Sequence, residues 1–160
     1  MGRAEIVRIL LDAHADVNTQ GDPYGSSLVA AVHEGHFDQV QILLNTGADS
    51  LLADELDQTP LHTAASRNML HILYRFRRFT STINDQDKLL QTPLHLAVCL
   101  GHIRFAIMLL NLGSDPCLQD GYGRNIMDWA LRHELLMHQI RKHCPQTVLT
   151  PDQILEQGVR

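Results

Sequence analysis

The sequence is short of several residue types, and each shortage argues against a class of protein. Only 5% of its 160 residues are aromatic, which is too few for an evident stacking platform for single-stranded nucleic acid. The 13 Lys and Arg residues are outnumbered by 18 Asp and Glu residues, and this balance argues against a general nucleic-acid binder. The composition therefore predicts a protein that does not bind nucleic acid.

Cysteines and long apolar runs are also scarce. The 3 cysteines are odd in number and too sparse for a disulfide framework, and they fit a reducing compartment. No apolar stretch approaches the ~20 residues that a membrane-spanning helix needs, and the first residues show no signal peptide. We expect a soluble intracellular protein, cytoplasmic or nuclear, that does not bind a membrane.

A 33-residue repeat is the strongest pattern in the chain. Thr59-Pro60-Leu61-His62 recurs as Thr92-Pro93-Leu94-His95, and 92 − 59 = 33. Asp54, Asp87 and Asp120 follow one another at the same interval. A fixed period of this length indicates stacked units, each too small to bury its own apolar face.

These motifs resemble the ankyrin repeat, over roughly residues 2–144. The resemblance implies an all-α solenoid of stacked helix-turn-helix units joined by β-turn or hairpin loops. The residues support this interpretation, since Thr59 and Thr92 are good N-caps and are followed by Pro at the first helical position. Gly35 and Gly101 stand where the first helix of a unit would end in a left-handed residue.

The repeat divides the chain into six segments. We predict a half repeat with only a second helix at 1–20, ankyrin repeats at 21–53 and 87–119, a degenerate repeat at 54–86, a capping repeat at 120–144, and a tail with a short helix at 145–160.

The half repeat lacks a first helix, so its apolar residues Ile6, Val7, Leu10 and Leu11 would lose half of their usual packing. One interpretation is that the chain is a piece of a longer array. The other is that another molecule covers this end, for example by end-to-end stacking. The segment Tyr24-Gly25-Ser26-Ser27-Leu28 is similar to repeats of large fungal multidomain proteins.

The ten histidines invite a search for catalysis or metal binding. His62 and His95 belong to the repeated tetrapeptide, where the resemblance implies a structural role. His133, His138 and His143 are five residues apart, so on a helix they do not form the i, i+4 pair of a zinc site. The sequence also lacks a phosphate loop, a nucleophile elbow and a paired-carboxylate pattern.

We therefore predict no catalytic residue, no metal site and no cofactor. An alternative is an enzyme that uses the concave groove around Cys99 and His95 as a small-molecule pocket. A second alternative is a structural spacer within a larger multidomain protein.

The family resemblance implies binding of a protein or peptide along the concave face, through turn tips and first helices. Carried onto this sequence, the predicted partner-binding residues are Pro23, His33, Glu34, Glu55, Leu56, Arg67, Lys88, Leu89, Leu100, Tyr122 and Arg132.

One row among these positions is apolar. Pro23, Leu56, Leu89 and Tyr122 are 33 residues apart and would occupy the same place on successive turn tips. Turn tips are normally polar, so this row predicts an exposed apolar ladder for a partner, broadened by Leu100. Tyr122 and Arg132 would be its anchors. The alternative is that each tip residue folds back onto its own unit.

Overall fold

The computed structural model describes residues 3–21, 23–75, 82–130 and 134–143. A short antiparallel hairpin, β1 (Gln20–Gly21) and β2 (Gly25–Ser26), pairs Gln20 with Ser26. The helices in chain order are α1 (Arg3–Asp12), α2 (Ser27–His33), α3 (Phe37–Asn45), α4 (Pro60–Ser66), α5 (Leu70–Arg75), α6 (Pro93–Cys99), α7 (Ile103–Asn111), α8 (Ile126–Ala130) and α9 (Glu134–His143).

These helices form two rows. The first helices α2, α4, α6 and α8 contact one another in order, and the second helices α1, α3, α5, α7 and α9 do the same. Each first helix also packs against the second helix that follows it. The stack of paired helices confirms the predicted all-α solenoid. Its core lies between the rows, where Leu94, Phe105 and Ile126 are fully buried.

The repeated tetrapeptide begins the first helices α4 and α6 by a reciprocal cap. The Thr92 hydroxyl accepts the His95 N–H at 3.3 Å, and His95 Nδ1 accepts the Thr92 N–H at 3.1 Å. Pro93 stands at the first helical position, where a backbone N–H would have no helical partner anyway. Two otherwise unpaired groups at the helix start are thus satisfied within four residues.

The histidine of the cap also joins neighbouring units. His62 Nδ1 accepts the Thr59 N–H at 3.2 Å, so the neutral ring carries its proton on Nε2. Nε2–H donates to the Gln91 carbonyl of the next unit at 3.0 Å. Burial lowers the pKa of the His62 imidazole, and the Gln91 carbonyl opposes this effect. Burial likewise lowers the pKa of His95.

The first helices end as the glycine pattern predicts. Gly35 and Gly101 adopt φ values of 72° and 73°, which an ordinary side chain would find strained. Asn68 stands at this register in the degenerate unit and adopts φ 56°. Asparagine tolerates the left-handed conformation better than most residues, so this helix also ends there.

Acidification should destabilise the stack through the buried imidazoles of His62 and His95. The unfolded chain takes up protons near pH 6.5, whereas burial lowers the pKa of His62 and His95 in the folded state, so the folded chain binds fewer protons there. We expect the free energy of unfolding to fall as the pH drops from about 7 to about 5, measured by urea unfolding. The His62→Gln/His95→Gln variant should be less stable at pH 7.5 but show a flatter pH dependence.

His138→Gln is the matched control because His138 is exposed on α9. This variant should keep the pH dependence of the parent chain. Equal pH slopes in the parent and in His62→Gln/His95→Gln would contradict the assignment.

Candidate partner-binding surface

Three successive turn tips are built in the same way around an aspartate. In the middle tip, Asp87 Oδ1 accepts the N–H groups of Leu89 and Gln91, each at 2.9 Å. The backbone N–H of Asp87 also donates to the Gln91 carbonyl at 2.9 Å. Asp54 and Asp120 repeat this arrangement in the tips before and after. The aspartate period seen in the sequence is thus a row of side chains that close the turns.

Hydrogen bonds between tips hold these turns in register. The Lys88 N–H donates to the Leu56 carbonyl at 3.0 Å, and the Gly121 N–H donates to the Leu89 carbonyl at 2.8 Å. Lys88 Nζ also donates to the Glu55 carbonyl. A Cβ at position 121 would lie 2.9 Å from the Leu89 carbonyl oxygen, so glycine permits this close approach. The tips from 54 to 124 therefore form one bonded edge.

The side chains at the tips point into solvent and do not fold back onto their units. Leu56 is 57% exposed, Leu89 is 56% exposed and Tyr122 is 74% exposed. The backbone N–H of each residue donates to the aspartate of its own tip. The carbonyl groups of Leu56 and Leu89 also accept a hydrogen bond from the next tip. We call these three residues, together with Leu90, the tip row.

The sequence analysis missed Leu90. This residue is 50% exposed and adopts φ 55°, a left-handed conformation that is costly for a leucine. The same register holds Asp57 in the preceding tip and Gly123 in the next, and both residue types suit such a turn. The signal in the sequence was therefore a leucine at a position where its two counterparts are turn formers.

The first tip differs from the other three, which corrects the predicted four-membered ladder. Gly21 stands at the register of Asp54, so the carboxylate that closes the later tips is absent from this register. The left-handed residue is Gly25, one position later than in the following tips, because the chain forms the β1–β2 hairpin instead. Pro23 is exposed in the loop of this hairpin, in a turn that is not equivalent to those of Leu56 and Leu89.

The last tip carries an arginine between two aromatic rings. The Arg124 guanidinium lies 4.6 Å from the Tyr122 ring centroid and 4.1 Å from that of Trp129. Its Nε and Nη2 donate to Asp120 Oδ2 at 3.0 and 2.8 Å. Burial would raise the pKa of Asp120, but the hydrogen bonds from Arg124 and Tyr122 outweigh it and hold the pKa below its usual value. Arg124 thus supports the exposed Tyr122 from below.

A second row lies at the other end of the first helices. Glu34, Arg67 and Leu100 are the C-caps of α2, α4 and α6, and all three are exposed. Leu100 thus stands at the opposite end of α6 from the turn that carries Leu89, and a seven-residue helix is about 11 Å long. Its role in partner binding stays a prediction.

The charged members of this second row are linked through His33. Its Nδ1 lies 3.1 Å from Glu34 Oε1, and Arg67 Nη1 lies 3.4 Å from its Nε2. The guanidinium can only donate, so His33 accepts from Arg67 and donates to Glu34. The hydrogen bond from His33 lowers the pKa of Glu34. The structure therefore brings three predicted residues together, while Arg132 lies outside the described residues.

The side chains suggested for catalysis do not converge. Cys99 is an exposed free thiol, whereas the His95 imidazole is buried and holds the Thr92 N–H. Cys117 is disulfide-bonded and offers no thiol, so the cysteines do not support the reducing compartment that their number suggested. Over the described ranges, no group of three or more His, Cys, Asp or Glu residues could hold a metal ion. In the same part of the chain, no helix is long and apolar enough to cross a membrane.

The helices form two rows, the same helix cap recurs after 33 residues, and hydrogen bonds join successive turn tips. These features define an α-solenoid repeat protein. The sequence matches the family described as ankyrin repeats, in three copies, over residues 28–120. The chain belongs to the ankyrin repeat family, as its motifs predicted. Members of this family generally act as protein-interaction modules and are typically non-catalytic.

Several known proteins share this repeat region. The chain is 32% identical to the probable 26S proteasome regulatory subunit p28 of Saccharomyces cerevisiae over 139 residues, which cover 84% of the chain and 61% of p28. It is 33% identical to alpha-latrotoxin-Lg1a of Latrodectus geometricus over 103 residues, covering 62% of the chain and 8% of the toxin.

A third relative is the human palmitoyltransferase ZDHHC13, with 35% identity over 104 residues. That match covers 64% of the chain and 17% of the enzyme. The chain thus spans less than two thirds of each of these three relatives. The fungal multidomain origin stays a prediction.

Removing the Asp87 carboxylate should loosen the middle tip. Asp87 is buried and its Oδ2 also accepts Gln58 Nε2 at 3.2 Å, so Asp87→Ala leaves three donors without their acceptor. We expect a loss of roughly 1–3 kcal/mol in the free energy of unfolding, measured by urea unfolding. Asp87→Asn keeps a carbonyl acceptor and should lose less than half as much. Equal losses in the two variants would contradict the role given to the acceptor.

Proposed function

We propose that the chain is a non-catalytic module that binds a protein or peptide through the tip row and the adjoining concave face. The partner is neither nucleic acid nor membrane, and the module uses no cofactor. Its place of action in this proposal is inside the cell, in the cytoplasm or the nucleus. The yeast relative named as a proteasome regulatory subunit supports an intracellular setting.

The observation that carries the proposal is the pairing of exposed leucines with a fixed backbone. Leu56, Leu89 and Leu90 are each at least 50% exposed, yet Asp54 and Asp87 tie their turns down. A side chain that is already ordered loses less entropy when a partner covers it. Contiguous exposed apolar surface is typical of interaction sites.

The charges beside the tip row favour a partner that is basic as well as apolar. Glu55 and Asp57 are exposed on the tip next to Leu56, and the whole chain has a formal net charge of −5. Exposed charges of this kind mainly steer association and are weakened by salt. Lys or Arg residues between the apolar residues of the partner would therefore speed its binding.

The spacing of the tips favours an extended partner segment. Packed helices lie about 8–10 Å apart, and neighbouring tips inherit this spacing from α4, α6 and α8. An extended chain advances about 3.3 Å per residue, so three residues span about 10 Å. Apolar side chains at every third residue would then meet successive tips, as in a polyproline II segment.

Selection from a displayed random-peptide library tests the surface. We expect enriched peptides whose binding falls at least about tenfold in the Leu56→Ser/Leu89→Ser variant, because each leucine removes apolar area from water on binding. Serine suits a turn, so the melting temperature should change little. Fluorescence polarisation measures the binding and circular dichroism the melting.

Leu51→Ser is the matched control, since Leu51 is 57% exposed but lies outside the tip row. It should leave peptide binding unchanged. Binding that survives in Leu56→Ser/Leu89→Ser would refute the proposed surface, and a selection that enriches no binding peptide would favour the spacer alternative.

The enriched sequences also test the extended partner. We expect their apolar residues to be three positions apart, whereas a partner helix would show spacings of three and four. Helical spacing with an intact dependence on Leu56 and Leu89 would contradict the extended form but keep the binding function. Sequencing of the enriched pool gives the spacing directly.

A further inference from the structure

Leu90 combines an exposed apolar side chain with a strained backbone. Its φ of 55° lies in the left-handed region, where the Cβ of an ordinary residue crowds the backbone, and the residue is 50% exposed. Asp57 and Gly123 adopt the same conformation at this register in the preceding and the next tip. The turn therefore suits glycine or aspartate, and leucine costs more than either.

Hydrogen bonds hold Leu90 in this conformation from both sides. Its N–H donates to the Asp87 carbonyl at 2.8 Å, and its own carbonyl accepts Gln86 Nε2 at 2.8 Å. Gln86 Nε2 also donates to the Gln119 carbonyl of the next unit at 3.0 Å. A residue in a costly conformation persists only where its surroundings impose it, and here the Gln86 amide ties the strained residue to the neighbouring unit.

Gly123 leaves a gap beside Leu90. At this register the middle tip carries a leucine side chain and the next tip carries none. Among the described residues other than its chain neighbours, no atom would lie within 4 Å of a Cβ at position 123. The hydrogen bond from the Gly121 N–H to the Leu89 carbonyl, at 2.8 Å, joins the two tips next to this space. We call the space between Leu90 and Gly123 the tip notch, and both of its sides are present in the chain.

Tyr122 adds an aromatic ring to the region of the notch, because it directly precedes Gly123. The ring is supported by the Arg124 guanidinium, 4.6 Å from its centroid, which is in turn held by two hydrogen bonds to Asp120. Aromatic rings pair favourably with one another. An aromatic side chain also loses little entropy on binding, since it has only two rotatable bonds. The surroundings of the notch thus favour an aromatic residue of the partner.

The tip on the other side of Leu90 is acidic. Asp57 and Glu55 are both exposed there, and no described Lys or Arg side chain forms an ion pair with either carboxylate. Lys88 donates its ammonium group to the backbone carbonyl of Glu55 instead. Both carboxylates therefore remain available to a basic residue of the partner.

We propose that the tip notch receives one aromatic side chain of the partner, and that Leu90 and Gly123 determine this specificity. An extended segment uses about three residues per tip, so a Lys or Arg residue six positions away faces Asp57. The strained leucine then stabilises the complex and not the free chain. This inference rests on the proposed function, because it names the residues that the tip row selects.

A peptide enriched on the parent chain from the displayed random-peptide library is the probe. We expect it to contain an aromatic residue whose replacement by alanine weakens binding to the parent at least about tenfold. The same replacement should weaken binding to the Gly123→Asn variant less than about twofold, because the asparagine side chain already occupies the notch. Fluorescence polarisation measures the four affinities of this double-mutant cycle.

Gly101→Asn is the matched control for the filled notch. Gly101 and Gly123 have φ values of 73° and 74°, and a Cβ at either would have open space among the described residues. Gly101 follows the C-cap of α6, at the end of the helix away from the tips. Asparagine tolerates this conformation, so both variants should fold and melt alike. Gly123→Asn should bind the peptide at least about tenfold more weakly, and Gly101→Asn should bind it as the parent does.

A second pair of variants separates contact from strain at position 90. Leu90→Asn removes one side of the notch and relieves a left-handed leucine. Leu89→Asn removes a leucine of similar exposure, 56%, whose φ is not left-handed. Both variants should weaken peptide binding at least about threefold. Leu90→Asn should melt at a higher temperature than Leu89→Asn, measured by circular dichroism.

A parallel selection on Asp57→Asn tests the charged part of the proposal. Asparagine tolerates the φ of 58° at this position, so the turn should be kept. The aromatic residue should remain enriched, whereas the preference for Lys or Arg six positions away should be lost. An unchanged preference would contradict the place given to Asp57.

Three results would overturn the notch. They are an aromatic replacement that costs the same affinity in the parent and in Gly123→Asn, enriched peptides without an aromatic residue, and unchanged binding by Leu90→Asn. If Leu56→Ser/Leu89→Ser still loses binding in these cases, the proposed function stands without the notch. Binding that depends on Gly123 but survives in Leu56→Ser/Leu89→Ser would refute the proposed surface instead. A selection that enriches no peptide would overturn both.

Discussion

Every helix pair in this chain buries its apolar residues against its neighbours, since two short helices cannot cover one another. Leu109 and Phe105 reach full burial because helices from three units surround them. Burying a leucine is worth about 1.5–3 kcal/mol, so stability is distributed over the interfaces between units. His62 follows this logic, because it caps its own helix and donates a hydrogen bond to the Gln91 carbonyl of the next unit.

The tips reverse the usual arrangement of polar and apolar groups. The charged Asp87 and Asp120 are buried, while Leu89 and Tyr122 beside them are exposed. The carboxylates are tolerated inside because they accept several N–H donors, which offset the cost of leaving water. The result is an apolar edge supported by polar groups, fixed in place by a rigid stack of helices.

The period, the helix caps and the exposure of the central tips could be predicted from the sequence, because each depends on residues within one unit. The Thr92–His95 cap needs only four consecutive residues, and the Asp87 turn only five. What escaped prediction depends on contacts across units or on backbone strain. The shifted turn at Gly25 and the left-handed Leu90 appear in the sequence only as departures from the repeat, and such a departure does not fix the conformation that the backbone adopts there. The stacking of Arg124 between aromatic rings likewise becomes visible only in three dimensions.

The way in which the tips are held has a consequence for how such a surface evolves. The aspartate binds main-chain N–H groups, which every residue except proline possesses. Exchange of the side chain at position 56, 89 or 122 therefore leaves these hydrogen bonds in place. Proline occurs at the corresponding position only in the first unit, where Gly21 replaces the aspartate. Selection can thus change the side chains that face a partner one residue at a time, while the turns that carry them keep their conformation.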